Sequence, residues 1–349
     1  MSVERLPFGN MPDGKEVYKY VITNNNDYSV HILTLGATLN SFFVKDSDGA
    51  LRDVLLGFDS VQDYLEKSDY QGATVGPCCN RIGGAALDIN GRHYSLTANE
   101  KDVTCLHSGG EFSFVLWNAM VVDADAVELS YLSPDGTNGF PGEKKVKAVF
   151  RLDDDNALHI EYDAAADRDT YLNLTNHAYF NLDGYDSGDI LSQTLSLNAG
   201  SFVPVDALSI PTGEIKAVEN TPFDFRAAKK IGTDIEADCE QLRLTGGFDH
   251  NFCIDGWDGT LRECACAEAV SGGVKMNVYT TLPGVQFYAG NFLNGTAGKG
   301  GKPMNKRSGF CLETQYFPDT PHNAAFPSCL FKAGEHYTSE TVYSFSVQK

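Results

Sequence analysis

The sequence predicts an all-β protein, a large antiparallel β-sandwich formed as a single domain by residues 1–349. Three observations favour this fold class. Apolar and polar residues alternate at the two-residue period of a β-strand in several segments, and turns rich in Gly, Asn or Asp recur between these segments. Helical periodicity is thin, and the chain contains neither a low-complexity linker nor a sustained repeat that would indicate a domain boundary.

Local patterns predict one hairpin and a few short elements around it. Segment 145–163 alternates on both sides of an Asp-rich turn, which is typical of a β-hairpin. A short helix is expected over 60–67, with Ser60 as its N-cap, and residues 227–235 are a weaker helix candidate. The Gly- and Lys-rich segment 298–302 is expected to be a mobile surface loop.

Two further strands are predicted in the C-terminal third, over 285–290 and 310–317. Alternation in the second strand places Leu312 on one face and Cys311 and Glu313 on the other. Because Glu313 is surrounded by mainly apolar neighbours, it is expected to be partly desolvated. Desolvation would raise the pKa of this carboxyl and make it a better proton acceptor.

Segment 171–182, YLNLTNHAYFNL, has an unusual second face. At strand period its even positions are nearly all apolar, whereas every odd position can form hydrogen bonds. This polar face has His177 at its centre and carries no Lys, Glu or Asp, unlike an ordinary solvated face. We expect the face to contact a ligand through His177, with Asn173, Thr175 and Asn181 bracing the histidine.

Composition excludes several classes of partner. The chain has 27 Lys and Arg against 47 Asp and Glu, a formal net charge of −20. Nucleic acid and anionic membrane both require basic patches, so neither is expected as a partner. The N-terminal residues do not resemble a secretory signal, and no apolar stretch approaches the length of a membrane span. We therefore expect a cytoplasmic protein, in which the nine cysteines stay reduced.

Sequence motifs give no indication of a metal or a cofactor. There is no P-loop, no H-E-x-x-H, no G-x-S-x-G elbow and no dinucleotide-binding glycine motif, and the eight histidines never occur at close metal-ligand spacing. Cys253, Cys264 and Cys266 lack the second paired cluster that a structural zinc site needs. We expect chemistry carried out by side chains alone.

Polar and titratable residues concentrate in a few apolar strand contexts. A histidine and a carboxylate are a suitable acid and base near neutral pH. The candidates are Asn80, Arg81, His107, His177, Asp249, Gln286 and Glu313. Taken singly, each also has a structural interpretation: a hydrogen-bonded core histidine (His177), an ion pair (Glu313 with Arg81), a loop or turn residue (His107, Asp249) or an exposed strand residue (Gln286). Spacing does not decide whether they meet in space.

Together these stretches resemble the aldose 1-epimerase, or galactose mutarotase, family over nearly the whole chain. The order and spacing of many segments make the resemblance specific: GATLNSFFV at 36–44, DVLLGFDSVQDYL at 53–65, NRIGGA at 80–85, LSPDGTNGFPG at 132–142, TNHAYFNL at 175–182, FDHNF at 248–252, PGVQFYAGNFLNGT at 283–296 and ETQYFPDTPH at 313–322. The resemblance implies a single-domain β-sandwich of the galactose mutarotase-like supersandwich type.

The resemblance also implies roles for the candidate residues. His177 matches the general acid that protonates the sugar ring oxygen, and Glu313 matches the general base that removes the proton of the C1 hydroxyl. The residues that match sugar-binding positions are Asn80, Arg81, His107, Asp249 and Gln286, with His107 close to the reacting centre. The implied activity is anomer interconversion of galactose and glucose, with no cofactor and no metal, by a monomer or weak homodimer.

Three departures from the family pattern lie near the implied sugar groove. Segment 76–79 lacks the basic residue that family members often carry there, Ser108 is added between His107 and Gly109, and segment 99–102 differs from the usual Gly- and Asn-rich run. These changes bear on substrate preference more than on the chemistry.

Two alternative functions stay open at the level of sequence. A hexose-6-phosphate 1-epimerase of the same fold would need an Arg/Lys cluster for phosphate, and only Arg81 clearly lies near the matched motifs. A sugar-binding or regulatory protein would have kept the groove and lost turnover.

Overall fold

Antiparallel strands dominate the structure, a computed structural model that describes residues 1–348. The strands of the N-terminal half are β1 Ser2–Asn10, β2 Glu16–Thr23, β3 Ser29–Leu33, β4 Thr38–Lys45, β5 Leu51–Asp53, β6 Thr74–Val75, β7 Arg81–Ile82, β8 Ala86–Ile89, β9 Arg92–Ser95, β10 Cys105–Leu106, β11 Asn118–Asp123, β12 Ala126–Ser133, β13 Lys144–Leu152, β14 Ala157–Ala166, β15 Thr170–Tyr171 and β16 Thr175–Asn176. Those of the C-terminal half are β17 Thr194–Leu197, β18 Ser201–Phe202, β19 Lys216–Ala217, β20 Lys229–Lys230, β21 Asp249–Cys253, β22 Arg262–Glu268, β23 Val274–Thr280, β24 Gly284–Tyr288, β25 Thr296–Ala297, β26 Pro303–Met304, β27 Cys311–Gln315, β28 Leu330–Phe331 and β29 His336–Val347.

Three large sheets organise these strands. A nine-stranded sheet has the order β11-β12-β13-β14-β29-β23-β22-β17-β20, and so combines strands from both halves of the chain. One five-stranded sheet runs β1-β2-β3-β4-β5, and the other runs β19-β18-β21-β24-β27. Neighbouring strands within all three sheets pair antiparallel. We call the sheet that ends at β27 the site sheet.

Aromatic residues join the sheets face to face in a shared core. Phe42 of β4 packs edge-on against Phe345 of β29, with ring centroids 4.7 Å apart. The Tyr343 hydroxyl on β29 donates to the backbone oxygen of Leu312 on β27 at 3.2 Å. Both five-stranded sheets therefore pack on the nine-stranded sheet, and the predicted all-β antiparallel sandwich is confirmed.

Most local predictions in strand regions are confirmed. Strands β13 and β14 form the predicted hairpin over 145–163. Their pairing runs from Lys144 opposite Ala166 to Leu152 opposite Leu158. Helix α1, Val61–Lys67, is also as predicted, because the Ser60 Oγ accepts the Asp63 backbone N–H at 3.1 Å and caps the first turn.

The second helix lies elsewhere than predicted. Residues 227–235 contain β20 and turns instead of a helix, because β20 pairs with β17 and forms the edge of the nine-stranded sheet. Helix α2, Glu240–Thr245, was not predicted, and it ends at Gly246 in the left-handed conformation that glycine favours. Single 3₁₀ turns occupy Gly83–Ala85, His107–Gly110, Thr137–Gly139, Lys299–Gly301 and Thr320–His322. Within residues 1–348 no helix is long and apolar enough to cross a membrane.

Segment 171–182 is not the continuous strand that its alternation predicts. Only β15 and β16 are regular there, and the segment is buried on both faces because it runs between residues 72–79 and Phe310. The amides of this segment bind the backbone of distant segments and not the His177 ring, so the predicted bracing of the histidine by Asn173 and Asn181 is wrong. The Asn173 side chain binds the backbone of Tyr316 through both of its polar atoms, and Asn181 Nδ2 donates to the Ser308 carbonyl.

The prediction of a mobile loop at 298–302 is wrong because Lys299 is an anchor. Its side chain is buried, and Nζ donates to Asp53 Oδ2 at 2.7 Å, to Ser41 Oγ at 2.9 Å and to the Leu55 carbonyl at 3.0 Å. A lysine among glycines looks solvated in the sequence. The carboxylate that pairs with it is far away along the chain, so only the tertiary structure brings the two together.

We expect Lys299→Ala to lower the free energy of unfolding by about 3 kcal/mol, since removing one partner leaves the Asp53 carboxylate buried and unpaired. Urea unfolding measures the change. Lys302→Ala is the matched control, because Lys302 lies in the same loop and pairs with Asp186 near the surface at 3.8 Å. Equal losses in the two variants would contradict the anchoring role.

Candidate active site

A cleft of about 400 Å³ opens on the face of the site sheet that points away from the core. This size is within the range of about 300–1,000 Å³ typical of small-ligand pockets. The predicted site residues that line it directly are Asn80, Arg81, His107, His177, Asp249 and Glu313. Gln286 lies beside them, since its Nε2 donates to Asp249 Oδ1 at 2.7 Å. The structure therefore brings together all the residues predicted from the sequence.

The strand period explains why polar side chains converge here. On β27, Leu312 faces the core while Glu313 faces the cleft. Across the sheet, Glu313 is the register partner of Gln286 on β24, which in turn pairs with Asn251 on β21. Asp249 begins β21, two residues before Asn251 and on the same face. The inner face of the site sheet stabilises the fold, and its outer face carries the functional groups.

His177 and Glu313 form the centre of the cleft. His177 Nε2 lies 3.6 Å from Glu313 Oε2, and both side chains are buried. Among residues 1–348, Oε2 has no hydrogen-bond partner, although the atom is fully enclosed. A buried carboxylate oxygen without a donor is costly, so this atom is in position to receive a hydroxyl from a ligand.

Burial shifts the pKa values of these two groups in opposite directions. Desolvation raises the pKa of Glu313 well above its ordinary value, as expected from the sequence, and the Asp249 charge adds to this rise while Arg81 opposes it. Desolvation also lowers the pKa of His177 to about 4. In water, a single proton shared by such a pair would reside on the histidine. Here burial favours the proton on Glu313 instead, because it raises the pKa of the carboxyl and lowers that of the imidazole.

Three residues that the sequence interpretation missed hold the His177 ring. Tyr179 stacks on it with centroids 5.0 Å apart, and Tyr70 lies at a centroid distance of 6.1 Å, with both rings nearly parallel to the imidazole. The Cys311 Sγ lies 3.5 Å from His177 Nδ1. Two signals were available: Tyr179 follows His177 at strand period, and Cys311 shares a strand face with Glu313.

The tautomer of His107 follows from its backbone contact. The Asn80 backbone N–H donates to His107 Nδ1 at 3.2 Å, so Nδ1 must be unprotonated. Burial, with contributions from His177 and Arg81, holds the pKa of His107 well below its ordinary value, so the ring is neutral. Its remaining proton is therefore on Nε2, which makes His107 a hydrogen-bond donor to a ligand.

This tautomer argues against a metal site in the cleft. One ligating atom from each of His107, His177 and Glu313 could lie within 4.8 Å of the others, which is close enough to suggest a metal cluster. A histidine that binds a metal through Nε2 carries its proton on Nδ1 and donates it to an acceptor. His107 Nδ1 instead faces the Asn80 N–H donor. The group is arranged for hydrogen bonds and proton transfer.

Arg81 is held between two carboxylates at one side of the cleft. Its Nε and one terminal nitrogen donate to Glu100 in a bidentate pair, both at 2.9 Å, and its other terminal nitrogen lies 3.7 Å from Asp249 Oδ2. Glu100 also lines the cleft and was missed as a site residue, although it belongs to the segment 99–102 that departs from the family pattern. Paired guanidinium and carboxylate groups are well suited to hydroxyl ligands.

Comparison with known proteins places this site in a family. The family model described as Aldose 1-epimerase matches residues 18–344. Galactose mutarotase of Bos taurus is 42% identical over 349 residues, with 99% of each chain covered. Aldose 1-epimerase of Escherichia coli (strain K12) is 36% identical over 96% of each chain. The chain belongs to the aldose 1-epimerase family.

Solved structures of this family agree with the fold. The chain is similar to galactose 1-epimerase from Lactobacillus acidophilus NCFM, with a TM-score of 0.88, 26% identity and 100% of both chains covered. An aldose epimerase homologue from C. elegans gives a TM-score of 0.87 at 29% identity, over 94% of this chain and 98% of that chain. The galactose mutarotase-like architecture that the motifs implied is therefore confirmed.

The buried Glu313 carboxyl predicts a pH-dependent gain of stability in Glu313→Gln. Above its ordinary pKa of 4.5, Glu313 ionises in the unfolded chain while burial keeps it protonated in the folded protein. The folded state then binds more protons, so it loses stability as pH rises toward the raised pKa. The glutamine variant escapes this loss and should become more stable than the parent, by an amount that grows with pH. Urea unfolding between about pH 5 and 8 measures it.

Glu4→Gln is the control for this experiment, since Glu4 is exposed on β1. It removes the same charge without relieving any burial, so its stability should follow that of the parent at every pH. A Glu313→Gln variant that is no more stable than the parent throughout the range would show that Glu313 is adequately solvated.

Proposed function

We propose that the protein is an aldose 1-epimerase that interconverts the α and β anomers of galactose and of glucose. The observation that carries the proposal is the enclosed Glu313 Oε2, which lacks a donor and lies 3.6 Å from His177 Nε2 in a cleft lined by hydrogen-bonding groups. Mutarotation needs a proton removed from O1 and a proton delivered to O5 of the same ring, and this pair supplies both groups side by side.

The reaction runs through the open-chain aldehyde. The Glu313 carboxylate takes the proton of the C1 hydroxyl, the O1 lone pair forms the carbonyl, and the C1–O5 bond breaks. His177 Nε2 delivers its proton to the departing O5. Rotation about C1–C2 then presents the other face of the aldehyde, and O5 closes on it while both protons return. The pair holds one proton throughout the cycle. Burial favours this proton on Glu313 in the free protein, so ring opening follows its transfer to His177 Nε2, and after opening Glu313 carries the proton taken from O1.

The remaining site residues are assigned to sugar binding. His107 donates through Nε2 near the reacting centre, and Arg81 donates from its position between Glu100 and Asp249. Asp249 accepts hydrogen bonds from sugar hydroxyls, and Gln286 orients it through the 2.7 Å hydrogen bond. The backbone N–H of Asn80 fixes the tautomer of His107. A neutral polyol is the ligand that such a mixture of directional donors and acceptors suits.

The charges of the cleft do not favour a phosphorylated hexose. Arg81 is already paired with Glu100 and faces Asp249, and the Glu313 carboxyl lies in the same cleft. A phosphate group would meet these carboxylates with only Lys101 as a further lining cation. Turnover of glucose 6-phosphate faster than galactose would overturn our choice of substrate.

Polarimetry on freshly dissolved α-D-galactose tests the proposed activity. The purified protein should accelerate mutarotation well above the spontaneous rate. Glu313→Gln and His177→Asn should each lower kcat by about 10²- to 10⁴-fold, the contribution typical of a general acid or base. Sugar binding should be largely kept, since Gln has the shape of Glu, Asn retains a hydrogen-bonding group, and the other sugar-binding residues are unchanged.

The same experiment separates the enzyme from a non-catalytic sugar-binding protein. A protein that binds galactose but leaves the spontaneous rate unchanged would be a binding or regulatory member of the family. Full turnover by Glu313→Gln would instead mean that another group is the base.

Glu100→Gln should raise the KM for galactose about tenfold, which is the loss expected when a charge-assisted hydrogen bond is weakened. The reason is that Arg81 loses its bidentate partner and can turn away from the sugar, while His177 and Glu313 are untouched, so kcat should change little. Asp102→Asn is the matched control, since Asp102 is an exposed acid in the same segment. A KM equal to that of the control would show that Arg81 needs no help from Glu100.

A further inference from the structure

Cys311 is a buried side chain in contact with Nδ1, the ring nitrogen of the proposed general acid that the reaction does not use. It lies two residues before Glu313 on β27, so the strand period places its thiol on the cleft face of the site sheet. Its relative exposure is 0%, and its Sγ lies 3.5 Å from His177 Nδ1. We propose, on the basis of the proposed function, that Cys311 is the positioning residue of His177, whose Nδ1 it contacts so that Nε2 faces Glu313 and the sugar.

The geometry leaves this task to the thiol. Stacking by Tyr179 and Tyr70 fixes the plane of the imidazole. It does not prevent a 180° flip of the ring, which keeps the plane but exchanges the positions of nitrogen and carbon atoms. Only an in-plane contact at one nitrogen distinguishes the two orientations. Cys311 supplies that contact at Nδ1, while Glu313 Oε2 lies nearest to the other ring nitrogen, Nε2.

A thiol also suits the chemistry that His177 performs. The proton that moves in the proposed cycle is the one on Nε2, so Nδ1 keeps its proton in both halves and needs an acceptor. A carboxylate there would stabilise the imidazolium strongly and weaken it as an acid. Sulfur is a weak acceptor. It can orient Nδ1–H while leaving the proton on Nε2 easy to transfer, in agreement with the low pKa of His177.

Of the titratable groups that face the His177 ring, only Glu313 is expected to exchange a proton with it near neutral pH. Desolvation raises the pKa of Cys311 well above its ordinary value, so its sulfur stays a thiol. The pKa values of Tyr179 and Tyr70 are also raised by burial, and that of His107 is lowered, so these groups stay neutral. Among the described residues that contact the ring, a change in the kcat pH profile near neutrality therefore reports on the His177–Glu313 pair.

Two variants at position 311 and one control test the proposal. Cys311→Ala removes the in-plane contact and should lower kcat about tenfold with KM nearly unchanged, as expected for a misoriented catalytic group. Cys311→Ser restores a contact and should recover most of kcat. Because a hydroxyl is a stronger acceptor than a thiol, it should also move the His177 limb of the kcat profile to higher pH. Cys264→Ala is the control, since Cys264 is a buried core cysteine on β22.

A second measurement does not depend on turnover. The ¹⁵N chemical shifts of His177 report which ring nitrogen carries a proton and what it contacts. The Nδ1 shift should change in Cys311→Ala and stay constant in Cys264→Ala, both in the intact protein.

These measurements also separate the two proposals. If the parent protein has no mutarotase activity, the proposed function is overturned. If the parent is active and Cys311→Ala has the same kcat, pH profile and Nδ1 shift, the proposed role of Cys311 is overturned. Equal losses of kcat in Cys311→Ala and Cys264→Ala would likewise assign the effect to stability and overturn it. If Cys311→Ala does not fold, an unshifted pH limb in Cys311→Ser is the result that contradicts the proposal.

Discussion

The burial of the Glu313 carboxyl on a strand whose other face packs into the core is the constraint on which the rest of this structure depends. Leu312 and Glu313 are neighbours in sequence, but one belongs to the hydrophobic core and the other to the cleft. The core contact holds β27 rigidly against the nine-stranded sheet, through Tyr343 among others. A catalytic group on a rigid strand keeps its geometry without cost at the moment of reaction.

The same arrangement explains the charges around the site. A carboxyl in a dry cleft has a raised pKa, and the nearby Asp249 raises it further. Arg81 counters both carboxylates, and Glu100 fixes Arg81 in turn. The result is a buried network in which Glu313 Oε2 stays unpaired. Such sites are less stable than an apolar core would be, and the sandwich around them supplies the stability.

Sequence reasoning was most reliable where the signal is local. The hairpin of β13 and β14 and the cap of α1 follow from the residues within each element, and both were predicted. It was least reliable where distant residues decide the outcome. Lys229 and Lys230 form an edge strand because they pair with β17, and Lys299 is an anchor because Asp53 lies against it.

The candidate site shows the same division. Alternation by itself identified a polar face on β27, and the family resemblance selected His177 and Glu313 with their surrounding groups. The segment around His177 looked like a strand with one polar face toward a ligand, whereas in the structure both faces are enclosed and most of its amides brace the fold.

The sequence by itself determined the sandwich class, the family and the residue types of the site. The two-residue alternation, the turn residues and the order of the motifs can all be read directly from the chain. The tertiary structure alone decided the 3.6 Å approach of His177 to Glu313, the tautomer of His107, the contact of Cys311 and the clamp of Glu100 on Arg81. The physical reason is that hydrogen-bond geometry and desolvation depend on which distant segments of the chain meet. The residue pattern along one strand does not show which other segments pack against it.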